Sequence, residues 1–150
     1  MERTKSSATD LVTSADRWSE LEIVSRLLDA RPDDGILGEE QTSLPGTSGV
    51  RWIIDPIDAT TNFVYGLAGY SISIGAEVDG EPTAGVIVDP ALGHEFAAAR
   101  GAGSTCNGEP IRVSDQVELS HALVATGFGY PPARRRRQAA GLVQVIPRIR

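Results

Sequence analysis

The chain has 150 residues, 41% of them apolar and 23% charged, and a formal net charge of −6. That length suits one domain burying roughly 70% of its unfolded surface, and the acidity argues against a nucleic-acid partner, which favours a basic face. A single cysteine, Cys106, leaves no internal disulfide and points to a reducing, cytoplasmic setting; no apolar run nears the roughly 20 residues of a membrane span, and Met1-Glu2-Arg3-Thr4-Lys5 lacks a signal-peptide apolar region.

Residues 5–13 are polar and aperiodic, with Asp10 a turn or capping residue. Thr13 or Ser14 caps a helix whose positive end is favoured by Asp16 and Glu20. Leu21, Val24, Leu27 and Leu28 form its apolar stripe, and Pro32 with Asp33-Asp34-Gly35 stops it near Arg31. Ile36-Leu37 is a very short strand that ends in Gly38-Glu39-Glu40, and residues 41–49 read as a mobile loop. Residues 50–54 read as a buried strand broken at Pro56. Gly66 and Gly69 flank a turn. Residues 70–78 alternate as a half-buried strand, and Asp79-Gly80 turns it back into 83–88. Strands at 94–99 and 122–126 and a tight turn at Asn107-Gly108 before Ile111-Arg112-Val113 follow. A second helix starts near Pro132, bearing arginines at 134–137 and then Leu142, Val143, Val145, Ile146 and Ile149, and reaches Arg150 without a stop signal. The predicted class is α+β: a helix, an antiparallel sheet and a second helix.

The chemistry concentrates in Trp52-Ile53-Ile54-Asp55-Pro56-Ile57-Asp58-Ala59-Thr60-Thr61-Asn62-Phe63. An apolar strand that turns and presents Asp-x-x-Asp, with the Ile57 carbonyl between the acids, suits hard cations such as Mg²⁺. Two such ions about 4 Å apart clamp the attacking and leaving oxygens of a phosphoryl transfer. The amides of Ala59 and Thr60, opening a helical turn, suit phosphate oxygens. Taken singly, Asp55 is a turn former, Asp16 a first-turn helix acid and Glu39-Glu40 a solvated pair; several acids at element ends with few basic partners nearby in sequence shift the balance. Elsewhere, residues 101–106 lack the third glycine of a dinucleotide fingerprint. His94 and His121 stand alone, and Cys106 has no activating base. The four arginines read as a solvated helix face.

Asp10-Leu11-Val12-Thr13-Ser14-Ala15-Asp16, then Gly38-Glu39-Glu40, then the stretch from Trp52 to Phe63 resemble, in order and spacing, three motifs of the lithium-sensitive inositol monophosphatase family. The stretch from Gly101 through Asn107-Gly108 to Ser114 is similar too, so the likeness covers nearly all of residues 1–150. It implies the helix-and-sheet half of a layered αβαβα sugar-phosphatase fold, and Mg²⁺-dependent hydrolysis of a phosphate monoester. Glu39, Asp55 and the Ile57 carbonyl would hold one metal, Asp55 and Asp58 a second, with Glu39 helping a third, water-rich site. Thr60, supported by Asp16 and with Glu39, would activate the attacking water. Substrate would meet Asp58, Ala59, Thr60 and Lys5.

Two departures follow from the same resemblance. Ala59 stands where the family usually has glycine, and a methyl there restricts the turn if φ is positive. Family members are nearly twice as long, with a second α/β domain whose Trp-Asp motif supplies a metal ligand that nothing in 1–150 matches, so the chain reads as a truncated N-terminal portion that starts about one helix late. The implied substrate is a small phosphorylated polyol or sugar, foremost inositol monophosphate. Histidinol phosphate, fructose bisphosphate and phosphoadenosine phosphate are alternatives within the same chemistry. A catalytically inactive metal- or phosphate-binding remnant is the alternative of another class. A haloacid-dehalogenase-like site needs Asp-x-Asp, not Asp-x-x-Asp. Family members often form dimers, and the apolar stripe of the last helix invites a homodimer.

Overall fold

The computed structural model describes residues 3–4 and 11–150, so the predicted basic residue Lys5 and the predicted turn at Asp10 lie outside the described residues. The chain forms two compact units, the larger built on residues 12–112 and the smaller on 113–150.

The short strands β1 (Arg3–Thr4) and β2 (Leu11–Val12) pair with each other. Helix α1 (Ser14–Ala30) begins with a capping box, as its sequence predicts. Thr13 Oγ1 accepts from the amides of Ala15 at 3.1 Å and Asp16 at 3.4 Å, and Asp16 Oδ2 accepts from the Thr13 amide at 2.8 Å, so orphan donors at the helix start are satisfied reciprocally. The Arg31 amide closes the other end on the Leu27 carbonyl at 2.7 Å. Of the predicted stripe, Val24, Leu27 and Leu28 pack into or against the core, and Leu21 departs from it. Leu21 is 64% exposed, whereas Asp16, Glu20 and Val24 are buried. The spacing of 16, 20 and 24 is one face of a helix, and its two acids are kept inward because donors from other segments meet them there.

The sheet has eight strands in the order β10-β9-β8-β7-β6-β5-β3-β4: β3 (Gly35–Gly38), β4 (Ser43–Leu44), β5 (Val50–Asp58), β6 (Ser71–Val78), β7 (Glu81–Asp89), β8 (His94–Ala99), β9 (Gly103–Cys106) and β10 (Glu109–Ile111). Most pairs are antiparallel as expected, but β3 and β5 run parallel. The reason is local: β4 takes one edge of β3 antiparallel, so the chain re-enters on the other edge running in the direction of β3. Val24, Ile36 and Ile54 form the core between α1 and the sheet, packed around by Ile23, Leu27, Leu28, Trp52 and Ile74. Asp79-Gly80 and Asn107-Gly108 adopt positive φ at both residues, the requirement of the tight hairpin turn their sequences predict.

Residues 41–49 are tied down rather than loose. The Gly38 amide donates to the Thr42 carbonyl at 2.7 Å, and the amides of Thr47 and Ser48 donate to the Asp33 carbonyl. The adjacent Asp34, 3% exposed, gathers Arg31 Nε, Ser48 Oγ at 2.6 Å and Trp52 Nε1 at 2.8 Å. Hydrogen bonds from Arg31, then Ser48 and Trp52, hold its carboxyl down at about 2, below the ordinary 3.8. A depressed folded-state value means that the ionised form favours the fold. The contribution is complete above the unfolded value near 4 and is lost as pH falls toward 2. Urea denaturation at stepwise pH should therefore show the parent losing stability between pH 4 and 2, and Asp34→Asn losing less across that interval.

In the smaller unit the predicted strand at 122–126 is absent; a 3₁₀ turn, Leu119–His121, precedes it, and among the described residues the run has no neighbouring strand to complete its hydrogen bonds. Helix α3 (Pro132–Val145) starts where predicted but stops short of Arg150, giving way to a 3₁₀ turn at Ile146–Arg148. Pro147 explains the stop, since it lacks an amide hydrogen and clashes with the preceding turn. Among the described residues no helix is long and apolar enough to cross a membrane.

Candidate active site

The site begins with an irregularity in β5. The strand does not break at Pro56 as expected; it runs on to Asp58. Asp55 pairs with Ser73 and Asp58 with Ser71, with a register shift between them. Three steps on β5 thus match two on β6, the signature of a β-bulge. Proline has no ladder donor to lose at a bulge. Ser71 and Ser73 share one sheet face because they are two residues apart, so their partners Asp55 and Asp58 fall on that face as well. In an unbulged strand their three-residue spacing would set them on opposite faces.

Glu39 reaches the same place from the neighbouring strand. Its amide donates to the Ile54 carbonyl at 2.9 Å, extending the parallel pairing by one residue. Glu39 and Asp55 line one open cleft of about 450 Å³, with Leu37, Ile53, Ser73 and Gly75 as its floor and walls. Asp58 is exposed at the end of the strand.

Beyond Asp58 the chain turns into a short helix, α2 (Thr60–Val64). Ala59 makes the turn with φ 62° and ψ 48°, a left-handed conformation that costs a residue with a Cβ roughly 1–2 kcal/mol. The concern raised by alanine at a glycine position therefore applies. Ala59→Gly should stabilise the protein by about 1 kcal/mol, read as a higher denaturation midpoint with unchanged slope. Asn62 fixes the far side of the turn, its Nδ2 donating to the Gly69 carbonyl at 2.9 Å.

Thr60 is 7% exposed and joins two parts of the predicted constellation. Its Oγ1 lies 3.0 Å from Asp16 Oδ1 and 3.0 Å from the Ile57 carbonyl. Asp16, 1% exposed, is thus shared between the α1 cap, through Oδ2, and Thr60, through Oδ1. Asp16 is therefore both a first-turn helix acid and the hydrogen-bond partner of the Thr60 hydroxyl. A hydroxyl has one proton to give, and the carboxylate is the stronger acceptor. The Ile57 carbonyl and Oγ1 then keep lone pairs for another partner.

All of these groups are oxygen donors: carboxylates of Glu39 and Asp55 in one cleft, and a carbonyl at Ile57. Among the described residues no three Asp, Glu, His or Cys side chains converge on one point. A set of one or two carboxylates with oxygen neighbours fits Mg²⁺, which keeps several waters, better than a metal caged entirely by protein. Residues 103–106 are strand β9 and not a phosphate loop. Asn107 instead clamps the hairpin, accepting from the Glu95 amide at 2.7 Å and donating to the Gly93 carbonyl at 3.2 Å. Two features escaped the sequence reading. A proline inside an apolar strand was the available signal for the bulge. Glu20, read only as a helix acid, turns its carboxylate onto the segment carrying Glu39.

A profile of the inositol monophosphatase family matches residues 1–150. The chain is 43% identical to an inositol-1-monophosphatase of Mycobacterium bovis, over 99% of this chain and 54% of that protein. Its fold matches a crystal structure of the extragenic suppressor protein suhB from Bartonella henselae with a TM-score of 0.93 at 35% identity, covering 99% of this chain and 58% of that one. It also matches a structure of an IMPase/NADP phosphatase complexed with NADP and Ca²⁺, with a TM-score of 0.72 at 29% identity, over 80% of this chain and 47% of that one. The chain spans about half the length of the curated relatives it matches.

Proposed function

The chain belongs to the inositol monophosphatase family, and on that premise we propose that it carries the metal- and phosphate-binding half of a Mg²⁺-dependent phosphate monoester hydrolase acting foremost on inositol monophosphate. The observation that carries this reading is the Thr60 hydroxyl held by buried Asp16 at the end of the bulged strand, whose Asp55 shares a cleft with Glu39. The acting compartment is the cytoplasm, where the single thiol stays reduced.

In this reading Glu39, Asp55, Asp58 and the Ile57 carbonyl hold Mg²⁺. When bound, the ions supply charge neutralisation for the phosphate and lower the pKa of water. Thr60 and Glu39 would orient the attacking water, with Asp16 fixing the Thr60 hydroxyl by accepting its hydrogen bond. The amides of Ala59 and Thr60 at the start of α2 receive phosphate oxygens. The protein's part is positioning and electrostatics, as phosphoryl transfer demands.

The test is phosphate release from inositol 1-phosphate with Mg²⁺, beside histidinol phosphate, fructose 1,6-bisphosphate and phosphoadenosine phosphate, with Asp55→Asn as control. Release that favours the inositol ester and disappears in the variant supports the reading. Metal binding without turnover on any ester would favour the inactive remnant instead.

A further inference from the structure

Glu20 sits on the second turn of α1 and is 2% exposed. A carboxylate is costly to bury unless its oxygens are satisfied, and among the described residues every donor that satisfies this one comes from a single short segment. The Glu40 amide donates to Oε2 at 2.7 Å, while the Thr42 amide at 3.2 Å and Thr42 Oγ1 at 2.5 Å donate to Oε1. The fit extends to the residue before Glu39. A Cβ placed on Gly38 would lie 2.3 Å from Glu20 Oε2, so Gly38 supplies the space the carboxylate occupies. Its φ is not positive, which leaves room for Glu20, and not turn geometry, as the reason for glycine there.

Glu39 is consequently fixed from both sides. Its own amide is bound to Ile54 in the sheet, and the next amide, Glu40, is bound to Glu20 on the helix. Gln41, at φ 88°, turns the chain so that Thr42 meets the other carboxylate oxygen. A surface loop with no such anchor would leave the Glu39 side chain free to sample directions away from Asp55. We infer that Glu20 is a positioning residue: a buried carboxylate that clamps the 39–42 segment and holds Glu39 in the cleft beside Asp55 for cation binding. This inference rests on the reading of Glu39 and Asp55 as metal ligands. It assigns Glu20 no contact with metal or substrate.

The experiment compares the parent protein with Glu20→Gln and with the milder Thr42→Val, by amide hydrogen exchange without metal and by Mn²⁺ titration. Glutamine keeps the volume but turns a donor NH₂ toward a donor amide. Glu20→Gln should speed exchange at the Glu40 and Thr42 amides by about 10- to 100-fold, with strand amides such as Val86 and Ala97 unchanged. It should also weaken Mn²⁺ by about 10-fold or more, the usual consequence of losing an outer partner of a metal ligand. Thr42→Val should move both readouts in the same direction by less, and it carries the test if Glu20→Gln does not fold. Unchanged exchange at Glu40 and Thr42 overturns the clamp. Faster exchange with unaltered Mn²⁺ affinity overturns the positioning role and leaves a purely structural carboxylate. A parent protein that binds no Mn²⁺ overturns the metal reading itself, and the positioning role with it.

Discussion

Asp55→Asn is expected to lower Mg²⁺-supported phosphate release by about 10²–10³-fold while the protein stays folded. Asparagine matches aspartate in shape, so the bulge and the pairing with Ser73 are retained; what disappears is the charge. Asp55 is the acid assigned to both principal metal positions and the one that shares a cleft with Glu39. Loss of its charge removes half of the negative potential there, and an amide oxygen is a weaker ligand for a hard dication than a carboxylate. The same variant should weaken Mn²⁺ in a titration that does not depend on turnover. Full activity with Asn at 55 would sink the assignment, because no other described carboxylate stands beside Glu39 in that cleft. Circular dichroism and the exchange pattern of β6 and β7 supply the check that the fold is intact.

The fold and the site were legible in the sequence to different depths, for physical reasons. Elements defined by local chemistry read well. Thr13 with Asp16 announces a helix start, Asp79-Gly80 and Asn107-Gly108 need left-handed backbone that those residues tolerate, and 94–99 forms a strand as expected. Non-local outcomes did not read well. Whether 35–38 pairs parallel or antiparallel with 50–58 depends on which edge Ser43 and Leu44 occupy. Leu21 obeys the helical period, yet the buried face is decided by what lies beneath α1, and two acids win it because donors wait there. The bulge after Asp55 was the costliest omission. It converts Asp-x-x-Asp from two acids on opposite faces into two on one face, which the spacing alone does not reveal. The resemblance implies a ligand set; the bulge shows how acids at that spacing come to share a face.

Thr60→Val is the substitution in which stability and turnover are expected to fall together for separable reasons. Valine is nearly isosteric, so packing against the start of α2 is retained and only the hydroxyl is lost. Asp16 Oδ1, on a residue 1% exposed, then loses its Thr60 donor, and leaving a buried acceptor unsatisfied costs about 1–3 kcal/mol. The denaturation midpoint should fall accordingly. If Thr60 also orients the attacking water, kcat falls by about 10²–10⁴-fold, the range a positioned proton-transfer group contributes, with a much smaller change in KM because the phosphate amides remain. Thr60→Ser separates the two effects. It restores the hydroxyl without the methyl, so kcat should recover most of the loss, while stability recovers less because a buried methyl is missing. A purely structural Thr60 would give Val and Ser variants whose activity per folded molecule equals the parent's. That equality, measured well below the melting temperature, would remove Thr60 and Asp16 from the catalytic group and leave them as the joint between α1 and α2.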